Sequence, residues 1–293
     1  MEWVLLVAAL ASSASGATVP LTRSVTLSVY TKKAVPVEDL KPEDIVLSEG
    51  GRKRSVSGVE RAKRPLDVAL VIDSSAALAA AYRSELVPAV IDFWKTLPAG
   101  SGIALWSTAP AKVSEFGADI AATDSKLRMI AAAGGKYAFD SLTEGCRELG
   151  SRGAARRALV YVGGGGLQTS RTATSALMEA IGQARATPMI VLVLPAGRDG
   201  VLGGGPSSGA AYSWDVQGYF AQMSQAYFGS YVEALSTLAV AERLRQAAAD
   251  LGGQYQVRYE SEAGPGDKLK VEVRRKDVRV RVGRSRPDLV PAN

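Results

Sequence analysis

Three stretches of the chain are apolar almost without a break. Leu66 to Ile72 is interrupted only by Asp67, Arg157 to Val162 reads RALVYV, and Pro188 to Leu194 is apolar throughout. Runs this short, and this rich in Val, Leu and Ile, predict strands buried on both faces. Ile103 to Ser107 predicts a further strand, with Lys112 to Phe116 pairing beside it as an edge hairpin. Between these runs the apolar period changes to that of a helix. From about Ala79 to Thr96, Leu86, Val90 and Phe93 or Trp94 recur on one face, and Pro98-Ala99-Gly100 ends the pattern. Thr123-Asp124 predicts the cap of a helix running to about Ala133. Others follow from Asp140 to about Leu149 and from Thr172 to Ala184. The last runs from Ala234 to Leu251, with Leu235, Leu238, Leu244 and Leu251 as its apolar face. Strands alternating with helices predict an α/β domain over residues 65–252 around a largely parallel sheet.

Both flanks carry the period of two instead. Ser24 to Tyr30 alternates strictly, and Ile45 to Leu47 leads into the turn Glu49-Gly50-Gly51. Beyond the α/β region, Tyr255 to Tyr259, Leu269 to Arg274 and Val278 to Val282 predict three strands, with charged residues alternating against valines. Segments 20–60 and 253–285 are therefore expected to pack into one accessory β unit, discontinuous in sequence, with 286–293 as a tail. Residues 197–230 form a Gly-, Ser- and Tyr-rich insert longer than ordinary connections. It gathers Tyr212, Trp214, Tyr219, Phe220, Tyr227 and Phe228, either as a satellite cluster packed under the insert or as an exposed recognition patch.

Composition narrows the chemistry. The 293 residues suffice for one full-sized domain and a small one, and the core must be aliphatic because aromatics are only 6%. There is no histidine and one cysteine, Cys146. That excludes an internal disulfide, His-containing zinc sites and His-dependent nucleophilic catalysis, and leaves Cys146 as a small buried apolar residue. The net charge of +6 sits in the flanks: residues 23–64 and 253–293 each carry +4. This is either a solvated strand face or a surface for an anionic partner, an acidic polymer or lipid headgroup. No aromatics are interleaved with it, which argues against nucleic acid. Residues 1–17 combine a short apolar core, Trp3 to Ala11, with the small-residue run Ser12 to Ala17. They read as a signal peptide and predict a secreted, periplasmic or cell-envelope protein, with no later stretch long enough to span a membrane.

The candidate chemistry lies where the first buried strand stops. Asp73-Ser74-Ser75-Ala76-Ala77 puts a carboxylate and hydroxyls at the carboxyl end of a strand, where open α/β sheets bind ligands. Two glycine loops follow, Gly134-Gly135-Lys136-Tyr137-Ala138-Phe139-Asp140 and Gly163-Gly164-Gly165-Gly166. Together these segments resemble the von Willebrand factor type A (vWA) family, and in particular bacterial secreted vWA-related proteins. Leu40, Asp44, Ile45 and Glu49-Gly50 before the domain, and Gly253 with Tyr255 and Tyr259 after it, resemble the same group. The resemblance implies a doubly wound, Rossmann-like sheet with helices on both faces and a metal-ion-dependent adhesion site. It also implies an exported, non-enzymatic protein-interaction module.

The family's site takes oxygens from D-x-S-x-S, from a Thr after the first glycine loop, and from an Asp after the next strand. Here Asp73 and Ser75 match, while Ala77, Lys136 and Gly164 each remove an oxygen. Magnesium asks for near-octahedral oxygen ligation, and Lys136 brings a positive charge to the cation's place. No tight divalent-metal site and no cofactor are therefore expected. Lys136 either reaches Asp73 as its counter-charge or points into water. Asp73, Ser75, Lys136 and Gly164 are the candidate partner-binding residues, and a protein is the expected partner. The alternative is an assembly component that binds through its basic β unit or aromatic insert. Weaker readings are a phosphate loop at Gly163 to Gly166, which lacks G-K-S/T, acid–base pairing among Asp73, Asp92 and Asp140, and a Ser-Lys arrangement using Lys136.

Overall fold

The computed structural model describes residues 21–109, 111–154, 156–165, 168–194, 209–261 and 268–287. The predicted signal segment, Tyr212 and Trp214 of the insert, Gly166 and the tail beyond 287 lie wholly or by their side chains outside it. In chain order come β1 (Leu21–Thr31), β2 (Ile45–Glu49), β3 (Arg52–Arg54), β4 (Val56–Arg61) and β5 (Leu66–Ile72). A short helical turn α1 (Ala79–Ala81) and a π-helical turn (Tyr82–Leu86) lead into α2 (Val87–Thr96). Then follow β6 (Gly102–Ser107), β7 (Ala111–Ser114), α3 (Ile120–Met129), α4 (Ala138–Ser151), β8 (Arg156–Gly164), α5 (Thr174–Ala184) and β9 (Thr187–Val193). The rest comprises α6 (Gly209–Ala226), β10 (Ser230–Ala234), α7 (Val240–Gly252), β11 (Gln254–Ser261), β12 (Leu269–Val273) and β13 (Val278–Pro287).

The central sheet has the order β10-β9-β8-β5-β6-β7, parallel except for the edge strand β7. Every residue of β5 is buried, as its continuous apolar run requires. Leu66, Val68, Leu70 and Ile72 face the layer formed by α2, α3 and α7. Ala69 and Val71 face α4, α5 and α6. Asp67, the polar exception, pairs with Arg152, its Oδ2 2.6 Å from Nε. Cys146 is buried on α4, and burial pushes its thiol up to about 12, so it packs as an apolar group.

The two flanks meet in a sandwich. One sheet runs β13-β1-β11-β4 and the other β12-β2-β3. Val25, Leu27, Val29, Leu47, Tyr255, Val257 and Tyr259 fill the space between them. Glu49, which ends β2, is buried in this core and ion-paired with Arg23 at 2.9 Å, and it accepts from Tyr259 Oη at 3.0 Å. Its turn partners Gly50 and Gly51 both take positive φ, as a tight hairpin demands. Arg156 ties the sandwich to the amino end of the central sheet. Its guanidinium donates to Gln254 Oε1 (2.9 Å), to the Ala62 carbonyl (3.1 Å) and to the Leu251 carbonyl.

Several sequence expectations are corrected. Asp119, not Thr123-Asp124, caps α3, its Oδ1 accepting from Ala122 N–H at 2.8 Å. The insert is not all loop, because residues 209–226 form α6. Phe220 is fully buried between Tyr161 and Phe139, with ring centroids 5.0 and 5.7 Å away. The described insert aromatics thus pack mainly inward, although Phe228 stays partly exposed. The predicted helix from Ala234 begins only at Val240, after β10, and Leu235 and Leu238 are exposed instead of facing the sheet. Gly163 and Gly164 belong to β8 and not to a turn. No described helix is long and apolar enough to cross a membrane.

Candidate functional site

Parallel register carries Asp73, Thr108 and Gly164 to the same end of the sheet. Ile72 pairs with Ser107 on one side and Val162 on the other, so Asp73 and Thr108 leave β5 and β6 beside the last two residues of β8, Gly163 and Gly164. Asp73 is fully buried. Its Oδ1 accepts from Ser75 N–H at 2.9 Å and from Thr108 Oγ1 at 3.2 Å. Its Oδ2 accepts from Gly164 N–H at 3.0 Å and from Tyr161 Oη at 3.5 Å. Ser74 braces the same turn: its N–H donates to Thr108 Oγ1, and its Oγ accepts from Ala109 N–H.

Lys136 arrives from the loop before α4 and is only 3% exposed. Its Nζ donates to the carbonyls of Gly164 (2.8 Å) and Gly165 (2.6 Å) and lies 3.9 Å from Asp73 Oδ2. The lysine does not point into water. Burial lowers its pKa, and the neighbouring Asp73 only partly offsets that shift. Burial, then the Asp73 carboxylate, raises the Tyr161 phenol well above its ordinary range. The loop is fixed from outside as well, since Gly134 O accepts from Ala76 N–H and Lys136 O from Thr169 N–H.

A solved structure decides what frame this is. A von Willebrand factor type A protein from Catenulispora acidiphila superposes over 89% of this chain and 72% of its own, at TM-score 0.51 and 12% identity. The chain has the vWA fold. Weaker likenesses include the vWF domain of the type V pilus tip protein Mfa5 from Porphyromonas gingivalis. That match has TM-score 0.33 and 23% identity, and covers 36% of this chain and 39% of that one. Another is BatB from Bacteroides thetaiotaomicron, with TM-score 0.46 and 11% identity, covering 64% and 98%. No family model and no curated protein matches the sequence.

In the vWA fold this end of the sheet is where a divalent ion is expected, and the residues present do not fit one. Ser75 Oγ is buried without a hydrogen-bond partner and is the one donor left open. Both oxygens of Asp73 are already taken by neutral donors. The Lys136 ammonium is buried beside them, so a second cation would meet it at short range in a poorly screened place. Ala77 is exposed and has no side-chain oxygen to offer. Among the described residues no three His, Cys, Asp or Glu side chains gather elsewhere as ligands.

The other sequence candidates separate. The Gly164 amide donates to the Asp73 carboxylate and the Gly165 amide to Val193 O, so neither is free for a bound phosphate as a phosphate loop requires. Asp92 is exposed on α2, while Asp140 accepts from the amides of Arg171 and Thr172. Burial alone would raise the Asp140 pKa, but those hydrogen bonds hold it below the usual range. No carboxylate pair forms from these three. Thr108 and Tyr161 were not singled out by the sequence. Thr108 directly follows the strand beside β5, and Tyr161 is the only polar side chain among 158–162, which are the two signals that point to them.

Proposed function

We propose that the chain is an exported, non-enzymatic protein-interaction module that binds through the loops at the carboxyl end of its vWA sheet without a metal ion or cofactor. Fold alone does not fix function. The observation that carries the reading is the Lys136 ammonium, seated on two carbonyls and 3.9 Å from the buried Asp73 carboxylate. A tethered cation there supplies the counter-charge from within the chain, so the loops keep one shape whatever the divalent-ion concentration. The residues around it suit a fixed scaffold better than a reaction centre. Every polar atom of Asp73 and Lys136 faces backbone or a neighbouring hydroxyl, and neither is presented to solvent.

Calorimetric titration of the full chain with Mg²⁺, Mn²⁺ and Ca²⁺, together with its melting temperature in each ion, tests the metal-free reading. No heat and no shift in Tm are expected. Micromolar binding with a stabilised fold would overturn it. Crosslinking of partners from a cell-envelope extract, with equal yield in EDTA and in Mg²⁺, is the matching expectation for binding. The assembly alternative keeps one support, the basic flanks, and loses another, since the described insert aromatics are mostly inside. If Arg52→Glu with Lys53→Glu on β3 abolished crosslinking while changes in the carboxyl-end loops did not, that alternative would replace the reading.

A further inference from the structure

Among the described residues, three segments beside Asp73 carry no exposed charge, although 22% of the chain is charged. Residues 74–81 contain none, and Ala76, Ala77, Ala79 and Ala80 are exposed. In 129–138 the only charge is Lys136, which is buried, while Met129 is 80% exposed and Ala131, Ala133 and Gly134 also face solvent. Residues 234–241 again contain none, and Leu235 and Leu238 are 76% and 75% exposed. Three of the five large apolar side chains exposed among the described residues therefore lie at this one end, which scattered surface residues would not do.

The three segments are joined in space. Ala76 N–H donates to Gly134 O, linking the first to the second. Arg128, next to Met129, donates to the Arg83 carbonyl just beyond α1. The turn containing Arg83 packs against residues 237–239. Arg83 and Glu233 are exposed at the margin and give the surface a polar rim.

Building on the metal-independent reading above, we infer that this surface docks an uncharged, apolar segment of another protein, anchored by aliphatic or aromatic side chains against Met129, Leu235 and Leu238. The argument is one of charge matching. A partner carboxylate or ammonium buried over the middle of this surface would lose its hydration and find charge only at the rim, on Arg83, Arg128 and Glu233, while Asp73 and Lys136 lie buried below it. Apolar side chains lose nothing of that kind and gain from covering leucine and methionine.

The test is selection of a random displayed peptide library on the full chain in EDTA. Sequences rich in Leu, Ile, Val or Phe and poor in Asp, Glu, Lys and Arg are expected. Their affinity should fall about tenfold or more in Leu238→Glu and Leu235→Glu, both exposed positions whose Tm should not move, and stay unchanged in Arg52→Glu with Lys53→Glu. Enrichment of charged peptides whose binding is still lost in Leu238→Glu would overturn the inference yet leave the proposed use of these loops standing. Peptides lost only in the β3 variant would overturn both. No enrichment, or a concentration-dependent dimer abolished by Leu238→Glu, would overturn the inference in favour of no such docking or of a second copy as the occupant.

Discussion

Lys136 and Asp73 are a buried ion pair whose members are held chiefly by other groups. The ammonium sits on two carbonyls and the carboxylate on two amides and two hydroxyls. Removing one member leaves the other uncompensated in the interior. Lys136→Met, which keeps most of the volume, is expected to cost about 3–5 kcal/mol in denaturant unfolding. Asp73→Asn added to it should recover part of that loss, and simple additivity of the two changes would show that the charges are not coupled. The lysine also has a pH signature. Its folded pKa is lowered mainly by burial, so between that value and the ordinary lysine range the unfolded chain binds the proton and the folded chain does not. Stability of the wild type relative to Lys136→Met should therefore rise with pH through that window. Unfolding curves measured from pH 7 upward check the sign, and a falling difference would contradict it. Asp73, Ser75, Lys136 and Gly164 were legible as a group because each ends or follows a readable strand or glycine loop. The roles of Thr108 and Tyr161 depend on which strands are neighbours, and that the chain order does not state.

At the scale of elements, β8 shows what replaced the expected acid. A Cβ on Gly163 would lie 2.2 Å from Tyr161 Oη and 2.6 Å from Asp73 Cβ, both in fully buried side chains. At Gly164 the nearest atoms would be at an ordinary 3.7 Å. Gly163→Ala should thus destabilise by about 1–3 kcal/mol through overpacking, and Gly164→Ala should be much milder. The strand can accordingly take a side chain at 164, and the combined variant Ala77→Ser, Lys136→Thr, Gly164→Asp restores the oxygens the family uses. It is expected to gain a Tm increase with Mg²⁺ or Mn²⁺ that the wild type lacks, and an unshifted melt in both ions would show that the backbone here cannot host the ion. Helix α6 was hidden in the sequence because its first residues follow a Gly- and Ser-rich run and its apolar positions lack a clean stripe. Packing makes it a helix: Phe220 is buried against Phe139 of α4 and Tyr161 of β8, and Met223 is fully buried in the same core. The short strand β10 was hidden for a different reason. Leu235 and Leu238 stand at helical spacing with Leu244 and Leu251, and periodicity alone cannot tell an exposed leucine from a buried one.

For the molecule as a whole, both the α/β alternation and the pairing of the two flanks could be read from the change of period between 3.6 and 2, since each period dictates which faces need cover. How the two parts are joined could not be read, because Arg156 looks like one more charge at the start of an apolar run. In the structure its guanidinium is spent on Gln254, Ala62, Arg64 and Leu251, groups that lie around the junction. Burial, reinforced by Arg61, pulls its pKa down to about 10, so the charge is held there at a cost that only these acceptors offset. A second tie runs from Arg281 on β13 to Asp250 on α7, with its Nε 2.6 Å from Oδ2. If these two contacts are what makes the parts melt together, Arg156→Met combined with Arg281→Met should leave each core intact but weaken the junction. Scanning calorimetry of the full chain should then change from one transition to two, with the sandwich and the central sheet unfolding separately. A single transition merely shifted to lower temperature would mean that the apolar packing of α7 beside β1 couples them instead.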